Sequence, residues 1–145
     1  MRHLSHITSG IAVLVFLAAS PQLHADEVAV VSAKSTVTTL SRSQVADIFF
    51  GKTTRFPDGS QAVPIDQSEG TLARDDFYVW IAGKSAAQMK AYWSKIIFTG
   101  RGQPPKAVAN SSETKRLIVA NPNTIGYIES KLVDDTLRVV TVTPQ

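Results

Sequence analysis

The chain of 145 residues contains no cysteine, and all three of its histidines lie within the first 24 positions. The absence of cysteine excludes disulfide bonds, a thiol nucleophile and a lipid-anchored signal. From residue 25 onward the chain also lacks histidine, which is the commonest general base and, with cysteine, the usual ligand of zinc and copper. An enzyme built from this sequence would depend on carboxylates, Lys, Tyr or Ser. We therefore predict a protein with no catalytic activity, no cofactor and no metal site.

The sequence has one marked apolar run near its amino terminus and no comparable run later. Arg2 supplies a positive charge, residues 11–19 are apolar, and residues 23–25 precede a candidate cleavage point. This order is typical of a secretory signal peptide, and the apolar run is too short to span a membrane as a stable helix. We predict that residues 1–25 are a cleaved signal peptide. The alternative is an uncleaved anchor.

Residues 26–145 are enough for one compact domain with a single core. Without Arg2 the chain carries 14 basic and 12 acidic side chains, a net charge of +2. These charges are dispersed, with Lys115-Arg116 as the only adjacent basic pair, which argues against nucleic-acid binding. Because no later apolar run is long enough to cross a bilayer, we expect no membrane insertion after cleavage.

Segments with the period of strands alternate with segments of helical period along this domain. Strands are predicted at residues 27–32, 62–65, 107–109, 125–128 and 137–142. Helices are predicted to follow four capping segments, which begin at Ser41, Ser68, Ser85 and Asn110. This alternation predicts an α/β domain with a mixed or mostly parallel sheet flanked by helices.

The turn at residues 68–71, with Arg74 one helical turn further on, is the candidate functional site. A predicted strand ends before this Ser-Glu-Gly-Thr turn and a helix starts after it, which leaves free backbone N–H groups at the positive end of the helix dipole. Such a helix start can bind an anion, with Ser68 and Thr71 adding hydroxyl donors and Arg74 a forked cation. The alternative is that Ser68 or Thr71 only caps the helix and that Arg74 is a solvated charge.

Two acidic side chains lie in or beside the same turn. Asp66 and Glu69 could form the carboxylate pair that acid–base catalysis requires, since such catalysis needs two groups with separated pKa values. We interpret Asp66 instead as a turn residue and Glu69 as an acid placed favourably at the start of a helix. This interpretation agrees with the predicted absence of catalysis.

Several of these segments resemble the phosphate-type periplasmic solute-binding proteins. Residues 40–52 resemble the segment that opens the second lobe of those proteins, and Ile125-Gly126-Tyr127 resembles a strand near the end of that lobe. The Tyr92-Trp93 pair and the Phe-Thr-Gly-x-Gly-x-Pro-Pro loop at residues 98–105 are similar to short, single-lobe relatives described as phosphate-transporter substrate-binding-like proteins.

The resemblance implies a single three-layer lobe of the type 2 periplasmic-binding-protein fold over residues 26–145, exported to the periplasm. In that family a Ser-Gly-Thr turn and a following Arg help to hold phosphate, and the matching positions here are Ser68, Gly70, Thr71 and Arg74. Because the chain is long enough for one lobe only, we expect weak recognition of phosphate or another small oxyanion, linked to phosphate transport. The alternative is an interaction module that keeps the fold and binds a membrane transporter or sensor protein.

Overall fold

The computed structural model describes residues 26–145. The elements, in chain order, are β1 (Glu27–Ser32), β2 (Thr39–Ser41), α1 (Arg42–Phe49), β3 (Val63–Gln67), α2 (Leu72–Ala82), α3 (Ala86–Phe98), β4 (Lys106–Val108), α4 (Ser111–Ala120), β5 (Thr124–Glu129), a short 3-10 helix (Ser130–Leu132), β6 (Leu137–Val139) and β7 (Thr141–Thr143). The predicted signal peptide, residues 1–25, lies outside the described residues. Within residues 26–145, none of the helices has the length and apolarity that a membrane span requires.

Five strands form the main sheet, in the order β4-β3-β5-β1-β6. Strand β3 pairs parallel with β4 and with β5, whereas β1 pairs antiparallel with β5 and with β6. Four strands therefore run in one direction and β1 runs against them. The predicted α/β domain with a mixed, mostly parallel sheet is confirmed.

Helices cover both faces of this sheet. Along β1, Ala29 and Val31 point into a larger core that α1, α2 and α3 complete. Val30 points to the opposite face, where it packs with Ile118 of α4 in a smaller core. This alternation follows from the pleat of a strand, in which successive side chains leave opposite faces. The result is the predicted arrangement of three layers, with the sheet in the middle.

Local capping fixes where the helices start. Ser41 and Ser85 form complete capping boxes with the glutamines three residues later, as the sequence predicts. Asn110 caps α4 through its side-chain oxygen, and the Thr71 hydroxyl caps α2. All four predicted helices are therefore present, and Thr71 rather than Ser68 is the cap of the second.

Gly126 allows α4 to lie close against the sheet. A Cβ atom at this position would lie 2.6 Å from Cγ2 of Thr114 and 3.0 Å from Cδ1 of Ile118. Both distances are shorter than ordinary carbon–carbon contacts, so only glycine fits without displacing the helix. The glycine of the Ile-Gly-Tyr segment thus sets the separation between α4 and β5.

The structure corrects three strand predictions. The single strand predicted at residues 137–142 is two strands, because the chain leaves the main sheet at Val140. Strand β6 pairs with β1, and β7 pairs parallel with β2 in a separate two-stranded sheet. Strand β2 was not predicted, since its three residues follow a polar segment and are ordered by a partner about 100 positions away. Strand β3 extends to Gln67 and thus includes Asp66, beyond the predicted end at residue 65.

Candidate functional site

The parallel strands β3, β4 and β5 end at one edge of the sheet, and two helices begin there. Helix α2 follows β3 through the turn at residues 68–71, and α4 follows β4 through Asn110. Open α/β sheets bind ligands outside the carboxyl ends of their strands, where helix N-termini offer free N–H groups. The candidate site predicted from the sequence lies at this edge.

The hydroxyl groups of the turn hold the turn itself. The backbone N–H and the hydroxyl of Ser68 both donate to the carbonyl oxygen of Val108, at 2.9 and 3.2 Å. The Thr71 hydroxyl donates to the carbonyl oxygen of Ser68 at 2.9 Å and accepts from the N–H of Arg74 at 3.4 Å. Gly70 has a φ of 89°, in the left-handed region that favours glycine. Ser68, Gly70 and Thr71 therefore shape the turn.

Free donors in this turn come from the backbone. The N–H groups of Glu69, Gly70, Leu72 and Ala73 donate to no acceptor within residues 26–145. They lie in the turn and at the amino-terminal end of α2, where the helix dipole favours negative charge. This set of unpaired donors, more than the hydroxyls, gives the edge its capacity to bind an anion.

Arg74 lies beside this turn and is buried. Only 8% of the residue is exposed, and its Nε donates to Oδ2 of Asp66 at 3.3 Å. Its guanidinium carbon lies 5.2 Å from the centre of the Tyr78 ring. Burial acts most strongly and opposes the positive charge, but the charge and hydrogen bond of Asp66, together with Tyr78 and Tyr127, outweigh it, so the pKa of Arg74 is raised. The alternative that Arg74 is a solvated surface charge is wrong.

The two Nη groups of Arg74 remain available. Among the described residues neither Nη donates to an acceptor, and the bond to Asp66 is made by Nε. A guanidinium that is fixed at Nε keeps its other donors in a plane that suits a carboxylate or phosphate. Asp66 thus fixes the Arg74 side chain through Nε and leaves both Nη groups without an acceptor among the described residues.

Asp66 is the centre of this buried network, and its interpretation as a turn residue is wrong. It lies in β3 with 3% exposure, and its carboxylate accepts from the Tyr78 hydroxyl at 2.7 Å and from the Tyr127 hydroxyl. The backbone N–H of Gln67 adds a bond of 2.8 Å. Burial raises the pKa of both tyrosines, and the Asp66 charge raises it further, so both remain protonated donors.

Asp66 and Glu69 do not form a carboxylate pair. Asp66 is buried among the donors described above, whereas the Glu69 carboxylate is exposed and lies 3.8 Å from Nζ of Lys90. This pair places a positive charge beside Glu69, which reduces the repulsion that Glu69 would exert on an anion at the turn. No acid–base pair is therefore built at this edge from these two residues.

A second buried link joins β3 to α4. The side-chain amide of Gln67 donates to the carbonyl oxygen of Tyr127 at 3.0 Å and to the Ser111 hydroxyl oxygen at 3.2 Å. The Ser111 oxygen also accepts from the N–H of Glu129 at 3.3 Å. This link fixes the amino-terminal end of α4 beside the turn that precedes α2. The only sequence signal for it is a pair of polar residues, Asp66 and Gln67, directly after an apolar strand.

Acidic side chains stand near the same edge. Glu27 of β1 lies opposite Glu129 of β5 in the antiparallel register. Both carboxylate oxygens of Glu27 are buried without a hydrogen-bond partner in the described part of the chain. Burial, together with the charges of Glu129 and Asp76, raises the pKa of Glu27 to about 7. An anion bound at the turn would experience this negative field, which limits its affinity.

Comparisons with known proteins show which solved structures share this fold. No protein-family model and no curated protein sequence matches the chain. Solved structures do match. A protein from Clostridium perfringens, described as a phosphate ABC transporter substrate-binding protein with bound phosphate, superposes on 80% of the chain with a TM-score of 0.64 and 23% identity. An ABC-type phosphate transport receptor from Vibrio cholerae superposes on 80% with a TM-score of 0.62 and 18% identity. The chain has the fold of a phosphate-transport binding protein.

The chain reproduces this phosphate-transport binding-protein fold over a restricted length. It spans 44% of the Clostridium protein and 45% of the Vibrio protein. The match is thus that of a single-lobe relative, and the predicted fold class is confirmed. At these identities the likeness shows the fold alone, so the roles of Ser68, Gly70, Thr71 and Arg74 in binding stay a prediction.

Proposed function

We propose that this chain is an exported, non-catalytic solute-binding-like domain that recognises phosphate or another small oxyanion weakly. The observation that carries the proposal is the donor set at the carboxyl edge of the sheet. Four backbone N–H groups in and just after the turn at residues 68–71 are unpaired within residues 26–145, and Arg74, one helical turn further on, has two Nη groups that donate to no acceptor in this range. Donors of this kind suit a tetrahedral oxyanion, which presents acceptor oxygens in several directions.

Weak binding follows from the same geometry. The described residues correspond to less than half the length of the two binding proteins that share this fold, and the donors identified here all come from this one portion. The carboxylates of Glu27, Glu129 and Asp66 oppose an added negative charge nearby. We therefore expect a dissociation constant on the order of 1 mM, which corresponds to about 4 kcal/mol of binding free energy.

Thermal unfolding in a buffer free of phosphate tests the proposal. A ligand that binds only the folded state raises the melting temperature once its concentration exceeds the dissociation constant. We expect phosphate at about 10 mM to stabilise the protein by about 1.4 kcal/mol if its dissociation constant is about 1 mM. Chloride at matched ionic strength controls for screening, and sulfate and acetate test the preference for a tetrahedral anion.

Arg74→Lys is the informative variant, because a lysine keeps a positive charge beside Asp66 but lacks the two Nη groups. We expect the variant to fold and to lose most of its response to phosphate. Arg116→Lys is the matched control, since Arg116 is exposed on α4 and pairs with Glu113. An unchanged phosphate response in Arg74→Lys would remove Arg74 from the site.

The same experiment separates the two hypotheses drawn from the sequence. If no oxyanion in the panel changes the melting temperature at millimolar concentration, the oxyanion proposal fails. The alternative, a module that binds a membrane transporter or sensor protein, would then be the hypothesis to pursue.

A further inference from the structure

A cavity of about 570 Å³ lies at the opposite edge of the sheet from the turn at residues 68–71. Its walls come from the carboxyl end of α1, from α3, from the loop at residues 101–105, and from the first residues of β3 and β4. Because β3 separates the two edges, the cavity shares no lining residue with the oxyanion site. Its volume is within the range of small-molecule sites.

The charge of this cavity has one sign. Lys52, Arg101 and Lys106 line it, and no acidic side chain does. Nζ of Lys52 lies 3.6 Å from Oδ1 of Asp47, which is not one of the lining residues. Within residues 26–145, Arg101 and Lys106 form no ion pair. The mouth of the cavity therefore carries positive charge that the described chain does not neutralise, which favours an anionic ligand.

Apart from Thr53, Thr54 and Gln103, the rest of the lining is aromatic and apolar. Phe50, Tyr92, Trp93 and Ile96 contribute to it. Tyr92 donates its hydroxyl to the carbonyl oxygen of Phe50 at 2.8 Å, which fixes its ring against that of Phe50. The apolar wall thus consists of held rings, a surface that suits a flat hydrocarbon body.

Trp93 adds an unused donor. The residue is 6% exposed, and its indole N–H is buried without an acceptor in the part of the chain that the structure describes. Buried donors nearly always have partners, so this N–H is exceptional, and its side chain lies in the cavity wall, where its signal reports on a ligand in the cavity.

We propose that this cavity binds a small organic anion with a flat aromatic body, of the aromatic carboxylate class. The body lies against the rings of Tyr92 and Trp93, and the carboxylate meets Arg101 and Lys106. This site is separate from the proposed oxyanion site, since the two share no residue. Inorganic phosphate has no apolar body for these rings to contact and is therefore not the ligand proposed for the cavity.

The probe is 2-naphthoate, compared with the neutral 2-naphthamide, and the readout is the indole N–H region of a two-dimensional ¹⁵N spectrum. The chain has two tryptophans, so the spectrum contains two indole signals that a Trp93→Phe variant assigns. Trp80 of α2 lies outside the cavity lining and serves as an internal reference. We expect 2-naphthoate to move the Trp93 signal saturably, with a dissociation constant on the order of 1 mM.

Charge variants decide whether the cations recognise the anion. Arg101→Gln and Lys106→Gln each remove an exposed charge from the rim and should weaken 2-naphthoate binding by up to about fivefold. Lys34→Gln is the matched control, because Lys34 is exposed and lies outside the cavity. Equal binding of 2-naphthamide, an unmoved Trp93 signal, or undiminished binding in the two rim variants would overturn the proposal. None of these results bears on the phosphate response at the other edge.

Discussion

Gly126→Ala tests whether the packing of α4 on the sheet depends on the missing Cβ atom. The added atom would lie 2.6 Å from Cγ2 of Thr114, whereas carbon atoms in favourable contact lie about 3.5–4.0 Å apart. The helix must therefore move by about 1 Å, or Thr114 must rotate and lose contacts. Overpacking of this kind costs about 1–3 kcal/mol, and the lower entropy of the unfolded chain returns about 0.4–1 kcal/mol. We expect a net loss of about 1–2 kcal/mol.

Urea unfolding followed by circular dichroism measures this loss, and a second background identifies its cause. Thr114→Ser removes the Cγ2 methyl group but keeps the hydroxyl that donates to the carbonyl oxygen of Asn110 at 3.2 Å. In this background Gly126→Ala should cost about 1 kcal/mol less, because the closest atom is gone.

Gly102→Ala is the matched control for the substitution itself. A Cβ at this position would meet only Cγ2 of Ile96, at an ordinary distance of 3.7 Å. We expect a change within about 0.5 kcal/mol. The steric argument is refuted if Gly126→Ala costs the same with and without Thr114→Ser, or if it costs nothing in either background.

Three further predictions concern single side chains. Asp66→Asn leaves a buried cation without its charged partner and should lower the free energy of unfolding by about 3 kcal/mol in urea titration; a loss below about 1 kcal/mol would contradict the buried ion pair. Because the pKa of Glu27 is raised from 4.5 to about 7, the folded state holds its proton more firmly, so stability should fall as pH rises through that window. The glutamine in Glu27→Gln cannot ionise, so this variant should show a smaller difference between its melting temperatures at pH 5 and pH 8. An unchanged difference would mean that another group causes the pH dependence. Ser85→Ala removes a capping box and should lower the free energy of unfolding by about 1 kcal/mol. Ser94 is exposed within α3, so Ser94→Ala should change stability little. Equal effects of the two substitutions would show that the cap does not stabilise the helix.

Helix positions could be predicted from the sequence because their signals are local. The capping boxes at Ser41 and Ser85 need only a hydroxyl and a glutamine three residues later, and both are present in the structure. The end of α2 at Gly83 follows from the left-handed conformation, with a φ of 62°, that glycine adopts readily. Each of these features involves residues within one turn of each other.

The network around Asp66 could not be predicted, since its members are brought together by the fold. The partners of the Asp66 carboxylate include Tyr78 and Tyr127, which lie 12 and 61 positions away in sequence. Nothing in the local sequence distinguishes an aspartate at the end of a buried strand from one in a turn. The same reason explains the missed strand β2, whose ladder is formed with residues near the carboxyl terminus.

The sequence allowed two interpretations of Arg74, an anion ligand or a solvated charge, and the structure shows why this choice was too narrow. A solvated arginine would reorganise its side chain when an anion arrives and would lose rotamer entropy. Here the bond from Nε to Asp66 and the contact with Tyr78 have already fixed the side chain. The rotamer entropy of Arg74 is therefore lost during folding and not when the anion binds. The negative charge of Asp66, however, weakens the attraction of Arg74 for an anion. A buried Arg–Asp pair thus exchanges affinity for a defined donor geometry. Such an exchange is compatible with oxyanion recognition by hydrogen-bond direction, and it makes the difference between Arg74→Lys and wild type, rather than the absolute affinity, the quantity that tests the site.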